Sequence, residues 1–300
     1  MHHVLSEFHR TPWAMLPSTL AVMQEVLYRW ASGVKIGDAG IADVIGRAPA
    51  ESAARRDNHQ AMGGGSIAVL PVFGVIAHRS AMVGDVSSGV GTSTEALSRQ
   101  LKAALADDSV STVVIDVDSP GGSVHGVSEI SDQIYAARDQ KRIIASVNSL
   151  CASAAYWIAS AAQEVVITPS GEAGSIGVYA AHQDVSAMME REGVKQTLIS
   201  AGRYKVEGNP FEPLTESARA AIQESVDRHY DAFVSSIARN RGDRVEAVRD
   251  GYGEGRVLGA EQAVRAGLAD RIATFDQVIS ELRSDRRPST ARRRLALSAR

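Results

Sequence analysis

One pattern constrains this chain more than any other. From Ser66 onward, short apolar runs rich in Val and Ile alternate with stretches of helical periodicity. "SIAVLPVFGVI" (66–76), "VSTVVIDVDS" (110–119), "RIIASVNS" (142–149), "EVVITP" (164–169) and "KQTLISA" (195–201) read as strands. Strands apolar on both faces are what a parallel sheet covered on both sides requires. Between them, 92–109, 126–140 and 184–193 read as helices, the first with Thr92 or Ser93 as N-cap and Leu97, Leu101 and Leu105 on one face. Helices at 215–241 and 257–268 follow. Such alternation builds βαβ units with right-handed crossovers around a mostly parallel sheet, so the expected class is α/β.

Before Ser66 the pattern differs. Residues 17–32 carry Leu20, Met23, Val26 or Leu27, and Trp30 at helical spacing, with Ser18 or Thr19 as N-cap. Residues 46–65 are polar and end in "GGGS", a linker composition. Three parts are therefore expected: a helical arm with linker (1–65), a core domain (66–282) and a basic tail (283–300) with seven arginines against one aspartate. The net charge of −3 speaks against a whole-chain nucleic-acid binder, and no nucleic-acid partner is expected. No apolar run reaches the roughly 18–20 residues of a membrane helix, and no apolar segment follows a basic start. A cytoplasmic protein with no membrane anchor is expected. The single cysteine excludes an intrachain disulfide.

Two stretches could carry chemistry. "DSPGGSV" (118–124) follows a buried strand. Its glycines permit backbone shapes closed to other residues, so the turn could aim N–H groups at an anion or oxyanion. A plain strand-to-helix turn would look the same. "SLCASAAYWIASAA" (149–162) also follows a strand, and carboxyl ends of parallel strands are where open α/β sheets place their sites. Ser153 would sit in the first turn of the helix, with small neighbours leaving room for a peptide backbone. A small-residue helix packed on the sheet explains the same letters. A serine nucleophile needs a base. His78, His125 and His182 stand at no telling position. A lysine serves if desolvation keeps it neutral. Lys102, Lys141, Lys195 and Lys205 are the core lysines, and Lys205 lies in a Gly- and Pro-containing loop after a strand.

Taken in order, "DSPGGSV", "SLCASAAYWIAS", "GEAGSIGV", "SAGRYKVEGNP" and "GRVLGAEQAVRAGLADRI" resemble the signal-peptide-peptidase-A-type serine peptidases, over residues 66–280. The resemblance implies a ClpP/crotonase-like fold of stacked βαβ units with a mostly parallel sheet, here preceded by the helical arm. It implies a Ser–Lys dyad, with Ser153 as nucleophile and Lys205, 52 positions later, as general base. Ser175, 22 positions after Ser153, would orient the lysine amine. The N–H groups of Gly121 and Ala154 would form the oxyanion hole, and Gly122 would shape the turn. Ala154 and Ala155 stand where the family often has glycines. The histidine of the ClpP branch would fall at Val178, and His182 is out of step with it. No metal, nucleotide or other cofactor is implied. The family's dyad is completed between protomers, which implies a homo-oligomeric ring.

"HRTPWAMLPSTLAVMQEVLYRW" also resembles the leading segment of the phage head-maturation branch. That branch implies scaffold, portal or capsid proteins as substrates and a place in the prohead, inside the host cytoplasm. The tail could then meet an acidic scaffold, or be a bare terminus. A cellular signal-peptide peptidase and a crotonase-type acyl-CoA enzyme are the competing readings. Cys151 is a rival nucleophile without an identifiable partner.

Overall fold

The structure is a computed structural model that describes residues 11–31, 66–79 and 91–284. The Gly-rich linker before Ser66 and the basic tail from residue 285 lie outside these residues. Eleven strands are described: β1 (Trp13–Met15), β2 (Ile67–Phe73), β3 (Val75–Ala77), β4 (Gly91–Ser93), β5 (Thr112–Ser119), β6 (Gly121–Ser123), β7 (Arg142–Ala152), β8 (Glu164–Ile167), β9 (Glu172–Gly174), β10 (Val257–Gly259) and β11 (Arg271–Ile272). They form two sheets. The larger runs β10-β9-β7-β5-β2, with β8 beside β7 and β11 beside β8. Its pairings are parallel apart from β9–β10. The smaller runs β1-β6-β3-β4. The α/β class with a mostly parallel sheet is what the alternation predicts.

β5 is buried at all eight positions, as its β-branched run requires at the centre of a covered sheet. Helices Thr94–Ala106, Val127–Ala137 and Glu216–Arg241 pack on one side, where Leu97, Leu101, Ile130, Ile134, Phe233 and Ile237 close the main core. Trp157 stacks on Phe233 with centroids 4.5 Å apart. Phe275–Ser284 covers the other face through Val278, Ile279 and Leu282. Ser93 caps its helix, accepting a hydrogen bond from Ala96 N–H. Lys141 Nζ donates to the Ala104 and Asp107 carbonyls at the far end of that helix, which gives this lysine a structural post.

Several expectations are corrected. The arm helix begins at Pro17, whose fixed φ suits the first helical position, so Ser18 and Thr19 lie inside it rather than capping it. Residues 66–76 are two strands parted at Gly74, which has φ +63°. The segment 195–201 forms no strand. Its apolar side chains find no sheet neighbour among the described residues, and Ile199 is 96% exposed. Residues 257–268 divide into β10 and the short helix Ala260–Arg265.

Asp270 ties the long helix to the sheet. It accepts two hydrogen bonds from Arg241, at 2.7 and 3.0 Å, and one from Val165 N–H at 2.7 Å. Burial alone would raise its carboxyl, but these hydrogen bonds and the Arg241 charge hold it below the usual range. A carboxylate depressed on folding stabilises above its unfolded pKa, and that contribution is lost as pH falls through the folded value. Asp270→Asn should therefore destabilise the fold near neutral pH and progressively less in acid, and because the carboxylate is partly exposed and screened by solvent the loss should be about 1 kcal/mol or less. Urea melts of the variant and parent between pH 3 and 7 check this, and the two curves should converge at the acid end.

Candidate active site

β7 ends at Ala152 and the helix Ala154–Ser160 begins two residues later, which leaves Ser153 as the whole of the turn. The chain reverses there in one step. Ser153 has φ 57° and ψ −118°, a conformation that side chains rarely adopt and that costs about 1–3 kcal/mol. A serine on a sharp, strained strand-to-helix turn is the geometry of a nucleophile elbow. Cys151, Ala152, Ala154 and Ala155 are fully buried, and only small residues let the chain turn so tightly against its neighbours. Ser153 is thus the helix N-cap, not a residue of its first turn, and the helix is shorter than its letters suggest. Burial pushes the Cys151 thiol far above its ordinary range, which removes it as a nucleophile.

Ser175 reaches the same place from the next strand. Ala152 pairs with Gly174 at the ends of β7 and β9, so Ser153 and Ser175 follow side by side. Ser153 N–H donates to Gly174 O at 2.7 Å, and Ser175 N–H donates to Arg256 O at 2.7 Å. Ser175 also has a positive φ, 54°. Ser153 Oγ donates to Gly177 O at 3.3 Å, a long hydrogen bond that leaves the hydroxyl weakly held.

The "DSPGGSV" turn is itself an element. Gly121–Ser123 is strand β6, joined to β3 and β1, and the next helix starts only at Val127. The expected strand-to-helix turn is thus a strand end followed by a second short strand. The glycines are needed. A Cβ on Gly122 would stand 1.9 Å from Ile76 O, and one on Gly121, at φ +96°, would stand 2.2 Å from Ala14 O. The N–H of Gly121 donates to Ser119 Oγ at 3.1 Å, and Ser119 in turn donates to Gly74 O. Gly121 thus spends its donor inside the turn. The Gly122 N–H is the one that the β6–β1 ladder directs toward a strand paired there. The Ala154 N–H opens its helix without an intrahelical acceptor, one residue after Ser153.

Lys205 lies on an exposed loop, where its N–H donates to Gly202 O at 3.1 Å. It is not brought to Ser153: among the described residues its amine takes part in no hydrogen bond or ion pair. The segment around it carries exposed apolar side chains, Met188, Val194, Leu198, Ile199 and Tyr204. His182 Nε2 lies 3.1 Å from Asn209 O, and His78 lies against Thr94 and Glu95, so neither faces Ser153. Among the described residues no cluster of His, Cys, Asp and Glu could hold a metal ion, and no helix is long and apolar enough to cross a membrane.

Residues 136–287 match the model of peptidase family S49. The chain belongs to this family. It is 34% identical over 226 residues to the capsid assembly protease C of Escherichia phage lambda, covering 75% of this chain and 50% of that protein. It is 36% identical over 214 residues to the head-tail preconnector protein GP5 of Enterobacteria phage P21, covering 71% and 42%. Protease 4 of Salmonella typhi is 30% identical over 220 residues, covering 73% and 34%. The chain thus spans about half the length, or less, of these relatives. A solved ClpP1 from Listeria monocytogenes aligns with a TM-score of 0.44 at 15% identity, over 70% of this chain and 94% of that one.

β1 is the feature that sequence reasoning missed. Three apolar residues before a proline carry too short a pattern to read as a strand, and only the partner strands define it.

Proposed function

We propose that this family S49 chain is a serine endopeptidase that uses Ser153 as nucleophile and Lys205 as general base, and that it cleaves scaffold, portal or capsid proteins during phage head assembly. The observation that carries the reading is the strained Ser153 elbow, flanked by Ser175 and facing the glycine strand. In the proposed mechanism Ser153 Oγ attacks the peptide carbonyl and passes its proton to neutral Lys205. The oxyanion is held by the N–H groups of Gly122 and Ala154, each worth about 3–4 kcal/mol. Gly122 takes the place expected of Gly121, whose N–H is already committed to Ser119. Lys205 then protonates the leaving amine, and water, activated by the same lysine, hydrolyses the acyl-enzyme. Ser175 orients the amine.

Lys205 would reach a dyad only when another protomer packs against its loop. The exposed apolar residues from Met188 to Tyr204 support a homo-oligomeric ring that buries them. The similarity to two phage head proteins favours a viral role over a cellular one. The test is co-expression with a candidate scaffold, portal or capsid protein, followed by mass spectrometry of the fragments. Lys205→Ala should lower cleavage about 10³–10⁴-fold, a range reached when a general base is lost. Lys205→Arg should not rescue it, because a guanidinium keeps its proton. Ile199→Asp should dissociate the ring in light scattering and lose activity with it. A monomer of full activity would remove the shared-site reading.

A further inference from the structure

The arm strand lies inside the site. On one side β1 pairs antiparallel with β6, Trp13 with Ser123, Ala14 with Gly122 and Met15 with Gly121. On the other side Trp13 exchanges both backbone hydrogen bonds with Tyr179, at 2.8 and 3.0 Å, four residues after Ser175. An extended segment held from both edges, by the strand β6 on one side and by an isolated bridge to Tyr179 on the other, has the geometry of a peptide bound by strand addition. Its register is fixed. Val124 N–H donates to Pro12 O at 3.3 Å and Leu16 N–H to Pro120 O at 3.0 Å, so alternation puts Ala14 in the hydrogen-bonded position opposite Gly122. The Ala14 carbonyl lies against the glycine pair. The point where a Gly121 Cβ would stand is 2.2 Å from Ala14 O and 3.0 Å from the carbonyl of Ala152, the residue before Ser153. All three side chains are buried, Ala14 in the main core and Trp13 and Met15 in a separate apolar cluster with Leu20, Val75 and Tyr179.

From these contacts we infer that residues 11–16 are a built-in occupant of the peptide groove, with Ala14 seated where a substrate presents its scissile carbonyl. The inference rests on Ser153 as nucleophile and adds two properties. A protein substrate enters only after the arm strand leaves. It binds extended, with an alanine-sized residue at the cleavage point and bulky apolar residues on either side, because Ala14 is enclosed by the main core while Trp13 and Met15 fill a separate apolar cluster that takes large side chains.

Two forms of the full chain test this. Trp13→Pro removes the N–H given to Tyr179 and should free the groove. A specific protease site placed between Ala31 and Ser66 lets the folded chain release its arm afterwards, which guards against a variant that fails to fold. Both should label faster at Ser153 with a fluorophosphonate than the parent, and both should raise kcat/KM on a fluorogenic alanyl peptide by about tenfold or more, as expected when a mostly closed site opens. The peptide Thr-Pro-Trp-Ala-Met-Leu added in trans should reverse the gain by raising KM and leaving kcat. Labelling and turnover unchanged or lower in the arm-released form would overturn the inference while leaving the nucleophile in place. Absence of Ser153 labelling in every form would instead overturn the nucleophile, and the inference with it.

Discussion

Ser153→Ala is expected to lower peptide hydrolysis about 10⁵–10⁶-fold, the loss typical of removing a catalytic serine. The variant should stay folded, since the hydroxyl gives only a 3.3 Å hydrogen bond to Gly177 O. Its stability carries a second readout. Alanine at φ 57° is as strained as serine, whereas glycine takes that conformation freely. Ser153→Gly should thus be inactive and more stable than Ser153→Ala by about 1 kcal/mol, seen in thermal melts. Equal melts would mean that the turn relaxes when the side chain is lost. Retained hydrolysis in either variant would mean that another group attacks the carbonyl, and the buried Cys151 is poorly suited to it.

Gly122→Ala is the second large effect. The new methyl would lie 1.9 Å from Ile76 O and 2.6 Å from Ile76 N and C, all backbone. No rotamer change relieves such a clash, so β6 must part from β3 at their Ile76–Gly122 bridge. A loss of about 3 kcal/mol or more is expected, at the upper end for overpacking. The Gly122 N–H would move with the strand, and hydrolysis should fall at least about 100-fold even where the protein remains folded. Gly259→Ala is the control, because nothing stands within 4 Å of its added methyl. That change should stay within about 0.5 kcal/mol. Chemical denaturation and peptide turnover measured on both variants separate the two effects.

Much of the scaffold is legible in the letters. The β-branched run at 110–119 reads as a covered strand and forms one over Thr112–Ser119, and of Thr92 and Ser93, the two caps the letters allow, Ser93 is the one that caps the helix. What escaped depends on distant partners. Gly121–Ser123 is a strand without side chains to announce one, because strand preference measures how side chains pack. The Ala- and Ser-rich run after Leu150 suits a helix or a buried strand end, so the letters set the boundary too early and place Ser153 one step inside the helix that begins at Ala154. "KQTLISA" has the composition of a strand but no strand beside it among the described residues. At the site, the order of the motifs singles out Ser153 and Ser175, and the register of β7 and β9 sets these two residues side by side. The direction of one N–H, Gly121 into Ser119, is visible only in three dimensions. Lys205 lies on an exposed loop, and no contact among the described residues joins its amine to Ser153.

The helix behind the elbow has seven residues, too few to hold its own shape in water. Its last turn is fastened from outside. Arg138 donates to the carbonyls of Ser160, Ala161, Ala162 and Asn240, and the Asn240 amide bonds Ser131 and Ser160. The reactive turn therefore cannot be transplanted as a motif. Grafted alone onto another scaffold, "SLCASAAYWIAS" would unwind and its serine would fall back to ordinary dihedrals. The portable unit is the elbow together with its fasteners, drawn from positions 131, 138 and 240, and a designer who copies the signature without them copies only its spelling.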